Sequence, residues 1–258
     1  MVKGQSFGEQ RAKSAVALLL TFVAGAVDIL GYLGIYHIFT AHLTGTTVHL
    51  GHDLMQRNWA AATMAGSVVA GFFGGSVAGR AAIEAGARIH FRRVASLNLA
   101  AEAVLLAVFV PLSGIPSSSA TPRMCWLLAI LAVAMGLQTA TLTRIGALTI
   151  HTTFVTGMMN KLAQLVSHIL FHTYDLWQAE NSQWRERYRE LRHSSAGQAW
   201  FVFSIWLLYF VGAIAGTAFY SAIQLNAMYV PAGLLVLTIA TDQVKPLSLQ
   251  EERDQGER

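Results

Sequence analysis

Charge is scarce in this 258-residue chain: Asp, Glu, Lys and Arg together make up 12% of it, about half the ~25% usual in a soluble domain. With 54% hydrophobic residues and a mean hydropathy of +0.46, that scarcity excludes a water-soluble globule of ordinary composition. It points to a chain embedded in a membrane. The single cysteine, Cys125, excludes an intramolecular disulfide framework. A net charge of +4 raises the question of nucleic acid, but the basic residues flank apolar runs and form no separate domain, so no nucleic-acid partner is expected. No Walker loop, dinucleotide fingerprint, nucleophile elbow or zinc-hydrolase motif occurs. The sequence therefore implies no enzyme, no catalytic residue and no cofactor.

What is present is a set of six apolar windows of membrane-spanning length: Ser14–Ile35, Trp59–Gly79, Val94–Leu112, Met124–Leu142, Ala199–Phe219 and Ala222–Ala240. The first superficially fits a signal peptide, but its apolar character continues past the small-residue "AGA", so a retained span is expected. Pro231 is expected to kink the last helix. Lysine and arginine then set the orientation. Sixteen of them lie in the amino terminus, the second-to-third and fourth-to-fifth connections and the tail, against only Arg57 and Arg123 in the alternate loops. Both termini are therefore expected in the cytoplasm. The segment "NSQWRERYRELRH", Asn181–His193, reads either as a short surface helix on the cytoplasmic leaflet or as a solvated charged loop. The end of the chain, "QEERDQGER", is too polar to pack.

Two polar stretches interrupt this pattern, "TAHLTGTTVHLGHD" from Thr40 and "TTFVTGMMNKLAQ" from Thr152. A shift of 112 positions aligns them without a gap: Gly34 with Gly146, Ile38 with Ile150, Thr40 with Thr152, Thr44-Gly45 with Thr156-Gly157, and Leu50 with Leu162. Further on, "GSVAG" at Gly75–Gly79 resembles "GAIAG" at Gly212–Gly216. Both are small-xxx-small patterns that permit close helix packing within the chain or in a homodimer. An odd number of spans separates the copies, which inverts the second relative to the membrane. The expectation is an all-α polytopic membrane protein of six helices in a 3+3 inverted repeat, with re-entrant or broken-helix segments. One membrane domain covers 1–240, with repeats at about 14–112 and 124–240, followed by a polar cytoplasmic tail at 241–258.

Each Thr-Gly precedes a helical pattern, and after Gly157 the residues Met158, Leu162, Leu165, Val166 and Ile169 form an apolar stripe that leaves Asn160 off it. Two readings follow. If each Thr-Gly dips into the protein, two helix amino termini approach the midplane and present free N–H groups to an anionic or polar ligand. If not, both are interfacial loops ending in capped helices. Asp28 lies in the first span and Glu102 in the third. A carboxylate in a membrane is expensive unless paired or hydrated, so function is the first reading for each. Asp28 suits a coupling proton or cation, a pairing with arginine, or a wet outer interface. Glu102 suits coupling, or a structural salt bridge or hydrogen bond. In the repeat, Asp28 meets Thr139 across one gap, beside Gln138. His42, His49, His52 and Asp53 raise a metal reading, but no tight ligand spacing occurs and no cysteine assists, so no metal is expected.

At "GAVDILGYLGIYHIFTAHLTGTTVHLG" and "AMGLQTATLTRIGALTIHTTFVTGMMNKLA" the sequence resembles the YoaK-type bacterial membrane family, a family of unknown function often described as predicted permeases. The resemblance maps the family's first-span aspartate onto Asp28. It maps the H-x-T-G-N-like segment onto His42, Thr44, Gly45 and Thr46, and the later T-T-x-V-T-G-T onto Thr152, Thr153, Thr156 and Gly157. Thr46 stands where asparagine is common, and Met158 where threonine is. The resemblance implies a bacterial membrane protein, and the inverted repeat, the paired Thr-Gly helix starts and the carboxylates inside the spans lead to the expectation of an inner-membrane permease for a small polar or anionic solute, with Gln138 and Asn160 also on its pathway and coupling through Asp28 or Glu102. A passive channel, a non-transporting accessory protein and a lipid-acting enzyme are the alternatives.

Overall fold

The computed structural model describes residues 7–91, 93–115, 120–141, 144–145, 148–150 and 152–244. Lys3, Arg92, Lys245, Arg253 and Arg258 of the charge tally, Gly146 of the repeat alignment and the tail from residue 245 onward lie outside the described residues. Among the described residues the fold is all-α apart from an antiparallel ladder of two two-residue strands, Arg144–Ile145 with Leu148–Thr149. Eight helices follow in order: α1 Phe7–Gly31, α2 Leu43–Met55, α3 Trp59–Arg88, α4 Val94–Gly114, α5 Ala120–Thr141, α6 Val155–Gln178, α7 Ser182–Ile223 and α8 Tyr229–Val244.

Among the described residues, five stretches are long and apolar enough to cross a membrane: Ala12–Tyr36, Trp59–Arg88, Val94–Gly114, Ala120–Thr141 and Ser182–Ala240. The fifth and sixth windows of the sequence thus fall in one helical stretch of 59 residues. Within it, the chain turns at Gln224, whose φ of 53° is left-handed, and passes through a 3-10 turn, Gln224–Met228. Two expectations change here. The segment Asn181–His193 is neither a separate helix nor a loop: Asn181 caps α7 by accepting from the Gln183 amide at 3.0 Å, and the charged run forms the first turns of that helix. At 42 residues, α7 is about 63 Å long, roughly twice the ~30 Å hydrocarbon core, so part of it stands clear of the bilayer. Pro231 lies in the first turn of α8, where its missing N–H has no intrahelical partner to lose, and it starts the helix rather than kinking it.

α1 is the central helix. Ala17, Leu20, Val23, Ala24, Val27 and Leu30 are all fully buried, and this stripe joins one core with residues of α4, α5, α7 and α8. The most extensive pairings are α3 with α5 and α1 with α7. Glycine makes both possible. A Cβ on Gly25 would collide with the carbonyl oxygen of Tyr209, and one on Gly212 with that of Phe22, so α1 and α7 touch backbone to backbone. On the other pair, a Cβ on Gly136 would strike the Phe72 carbonyl and one on Gly75 the Val133 carbonyl. Contacts this close are how helices associate in lipid, where apolar burial offers no preference for protein over acyl chain. The outward faces are apolar too: Phe73 and Val77 on α3, Val104 and Val108 on α4, and Trp200, Phe210 and Ile214 on α7 are exposed. A lipid bilayer is the environment that covers such surfaces.

Gly25→Ala and Gly136→Ala should each destabilise the fold by about 1–3 kcal/mol through overpacking. Gly66→Ala, with no atom within 4 Å of its Cβ position, should leave stability unchanged or raise it. Thermal unfolding of detergent-purified variants reads the difference.

Candidate functional site

The link from α1 to α2 is where the first polar stretch acts. Helix α1 ends in a π-helical turn, Tyr32–Tyr36, and the chain breaks at His37, which has a left-handed φ of 54°. Thr40 and Ala41 then cross the body of the protein with two amides that no helix satisfies. Asp28 satisfies them. Its Oδ1 accepts from the Thr40 amide at 2.8 Å, the Ala41 amide at 2.9 Å and the Thr40 hydroxyl at 3.2 Å. Its Oδ2 meets His42 Nδ1 at 2.6 Å and accepts from the Tyr209 hydroxyl at 2.8 Å. Asp28 is 1% exposed, so it is not a wet interfacial group, and its side-chain nitrogen partner is His42 rather than an arginine. Hydrogen bonds to a charged group contribute about 1.5–3 kcal/mol each, and this set offsets the cost of a carboxylate at that depth.

The second polar stretch is held in a similar way by neutral groups. Gln138 on α5 is fully buried, and its Nε2 donates to the Leu20 carbonyl on α1 at 2.8 Å and to Thr152 Oγ1 at 3.2 Å. Its Oε1 has no hydrogen-bond partner among the described residues. The Thr139 hydroxyl donates to the Met135 carbonyl at 2.8 Å, so across its 2.7 Å contact with Thr153 it is Thr153 that donates. Both breaks are therefore tied to α1, one at Asp28 and the other, through Gln138, at Leu20. Eight residues separate these two points, about 12 Å along the helix. The span Ala12–Tyr36 has its midpoint at residue 24, so each point lies about 6 Å from the centre.

Past each break a helix begins without a side-chain cap. His42 precedes α2 and Phe154 precedes α6, and neither caps with its side chain. The first three amides of a helix have no partner inside it. In α2 these belong to Leu43, Thr44 and Gly45, since the Thr46 amide already bonds the His42 carbonyl at 3.1 Å. Thr44 and Gly45 are exposed, and Gly45 has open space where a Cβ would stand. Thr46 is buried and turned to its own backbone, donating to the carbonyls of Phe39 and His42. Around His42 the rings of Phe39 and Tyr209 lie at 5.1 and 5.9 Å, and Tyr32 stacks on Phe39 at 4.4 Å.

In α6, Thr156 and Asn160 are exposed, while Thr152 and Thr153 are buried. Gly157 does not face open space as Gly45 does, because the Phe154 ring covers its Cβ position. Open space at the Cβ position is thus found at Gly45 and not at Gly157. Met158 is packed in the core, which accounts for a thioether where the family pattern has threonine. Among the described residues no three His, Cys, Asp or Glu gather as a metal cage. His52 Nδ1 lies 3.4 Å from Oδ1 of its neighbour Asp53. The sequence reading passed over Tyr209. Its signal was a phenol in an aliphatic run, three residues before Gly212, whose partner α1 carries Asp28.

The bond to the Asp28 carboxylate holds His42 above the ordinary histidine range, with burial opposing it. A raised folded-state value means that the pair's contribution is full below the unfolded pKa of ~6.5 and is lost as pH rises through the folded value. The gap in melting temperature between wild type and His42→Gln should accordingly be widest in acid and narrow with increasing pH. A gap constant from about pH 5 to about pH 9 would exclude an ionised pair.

Residues 16–241 match the family model described as "Protein of unknown function (DUF1275)". The chain is 28% identical over 159 residues to the "UPF0700 transmembrane protein YoaK" of Bacillus subtilis (strain 168), an alignment covering 62% of this chain and 69% of that protein. No solved structure matches. The match takes in every helix from α1 to α8, including Asp28 and both Thr-Gly breaks, and the chain belongs to this YoaK-type family of multi-pass transmembrane proteins, DUF1275.

Proposed function

We propose that the protein is an inner-membrane permease for a small polar or anionic solute, with both termini cytoplasmic, and that the solute meets the start of α2. The carrying observation is the Asp28 cluster: a buried carboxylate about 6 Å from the centre of the span Ala12–Tyr36 fixes a chain break, and the helix that follows opens with uncapped amides beside His42. Those amides and the positive end of the helix dipole suit an anionic or strongly polar group. Non-helical backbone at membrane depth is tolerated where it is enclosed by protein or lines water, and Thr44 and Gly45 are the exposed part of this break.

An inverted repeat of α1–α4 and α5–α8 is part of the same reading. Its support is a set of constant offsets. Phe22 and Gly25 stand 111 positions before Val133 and Gly136, and Phe72 and Gly75 stand 137 before Tyr209 and Gly212. The close approaches Gly25–Tyr209 and Gly212–Phe22 therefore map onto Gly136–Phe72 and Gly75–Val133. Helices α2 and α6 begin 112 positions apart, at Leu43 and Val155. With α2 and α6 counted as non-crossing, three spans separate equivalent points, and an odd number turns the second copy over. Repeats at about 14–112 and 124–240 follow, and no enzymatic role is assigned.

Flux into proteoliposomes against a panel of small polar and anionic metabolites tests the proposal, using Gly45→Leu, a substitution that the open space at Gly45 accommodates without a clash. Saturable uptake of at least one solute is expected in wild type, falling by about tenfold or more in Gly45→Leu, a change equivalent to about 1.4 kcal/mol, with melting temperature unchanged. Uptake equal to wild type in both Gly45→Leu and His42→Gln would refute the site.

A further inference from the structure

Asp28 was one of two carboxylates expected to couple transport to an ion. With Oδ1 committed to two amides and a hydroxyl, and Oδ2 to His42 and Tyr209, it is a clasp, and adding a proton there would remove the acceptor that holds the break. The other carboxylate is differently placed. Glu102 is fully buried in α4, and neither of its oxygens has a hydrogen-bond partner among the described residues. It is the ninth of the 21 residues of α4, two from the middle and so about 3 Å from it along the axis. It also sits at the heart of the helix's buried stripe, Ala95, Asn98, Leu99, Glu102, Leu106 and Phe109.

We propose that Glu102 is the proton-binding site of this protein, protonated in the conformation described here and releasing its proton to water in another, a role that deepens the permease reading and rests on it. The step is a simple protonation: a proton from water joins a carboxylate oxygen, and the same O–H bond breaks on release. No redox partner is required.

Three considerations carry this assignment. An ionised carboxylate at mid-membrane with no partner is far costlier than a neutral acid left unbonded, so the group is a carboxylic acid here. A structural role does not explain it, because it makes no bond and an aliphatic side chain would pack the same space without the ~1–3 kcal/mol cost of an unsatisfied polar group. A metal cation does not explain it either, since hard cations take six or more oxygen ligands and no group of three acidic, histidine or cysteine side chains forms among the described residues.

Among the described residues, the elements most extensively packed on α4 supply no fixed counter-charge near the site. Helix α4 packs on α5 and α8, and less on α3 and the turn Gln224–Met228. On α5 the titratable side chains are Arg123 and Cys125, at the start of the helix, and the Arg123 guanidinium donates to the Ser113 carbonyl at the far end of α4. On α8, Tyr229 lies in the first turn and is 50% exposed, and Asp242 lies in the last. On α3, Arg80 pairs with Glu84 at 3.6 Å, and Arg88 is in the final turn. The turn Gln224–Met228 has none, and α4 itself carries no other charged group.

Infrared spectroscopy of the full chain in proteoliposomes, with no solute added, tests the assignment. The expected result is a carbonyl stretch of a protonated carboxyl in apolar surroundings at neutral pH. It should shift in D2O, fade at alkaline pH, drop to background in Glu102→Gln and persist in His42→Gln. Carbon-13 labelling of glutamate carboxyls, but not of aspartate, should shift the same band in the unsubstituted protein, which assigns it even if Glu102→Gln does not fold. A missing band, a band unmoved by glutamate labelling, or one that neither shifts in D2O nor responds to alkali would overturn the proposal. Because no flux enters the measurement, a permease with an inert Glu102 and a proton-binding protein that moves no solute give different results.

Discussion

The carboxylate of Asp28 accepting the amides of Thr40 and Ala41 is the bond on which the remaining geometry depends. A chain that leaves a helix inside a membrane must satisfy its backbone without help from water. Here one side chain does so for two consecutive amides and also anchors the residue that begins the next helix, His42. Tyr209 brings α7 into the same cluster. The break, the start of α2 and the α1–α7 packing are thus coupled, and loss of the carboxylate would be felt in all three.

Close glycine contacts make that coupling sterically feasible. The Tyr209 hydroxyl reaches Asp28 because α7 runs against α1 with Gly25 beneath the Tyr209 carbonyl. The pair α3 on α5 is built from the same kind of contact, and the proposed repeat sets Phe72 against Tyr209 and Thr139 against Asp28. The second break is accordingly held by an amide and hydroxyls instead of a charge. The two breaks differ in electrostatics: one helix start stands open beside a histidine, and the other is covered by Phe154. That asymmetry is why the first break, and not both, carries the proposed solute contact.

Much of this was legible in the sequence wherever a local pattern had one physical meaning. The first four apolar windows fall in four separate spans and the last two in a single stretch, Thr-Gly after a polar run marked two helix starts 112 residues apart, and an aspartate inside a span flagged the cluster. What was not legible depended on contacts distant in sequence. Tyr209 lies 181 positions from Asp28, and nothing local to either names the other. The length of α7 was hidden because the charged run at 182–193 has helical spacing yet the hydropathy of a loop; only continuity with the apolar run makes them one helix. Gly157 and Gly45 look alike in sequence and differ because of one aromatic ring. Pro231 reads as a kink or a helix start according to a boundary that hydropathy places only within several residues.

The depth of the two helix starts tests the central claim most directly. Thr44 and Thr156 are both exposed, so single spin labels at these positions should leave the fold intact, and their collision rates with oxygen and with a water-soluble relaxant report depth and hydration in a bilayer. Both labels are expected at hydrocarbon depth with ready access to the aqueous relaxant, on either side of the midplane. Either label at headgroup level would contradict the claim that paired chain breaks enter the membrane to meet at α1.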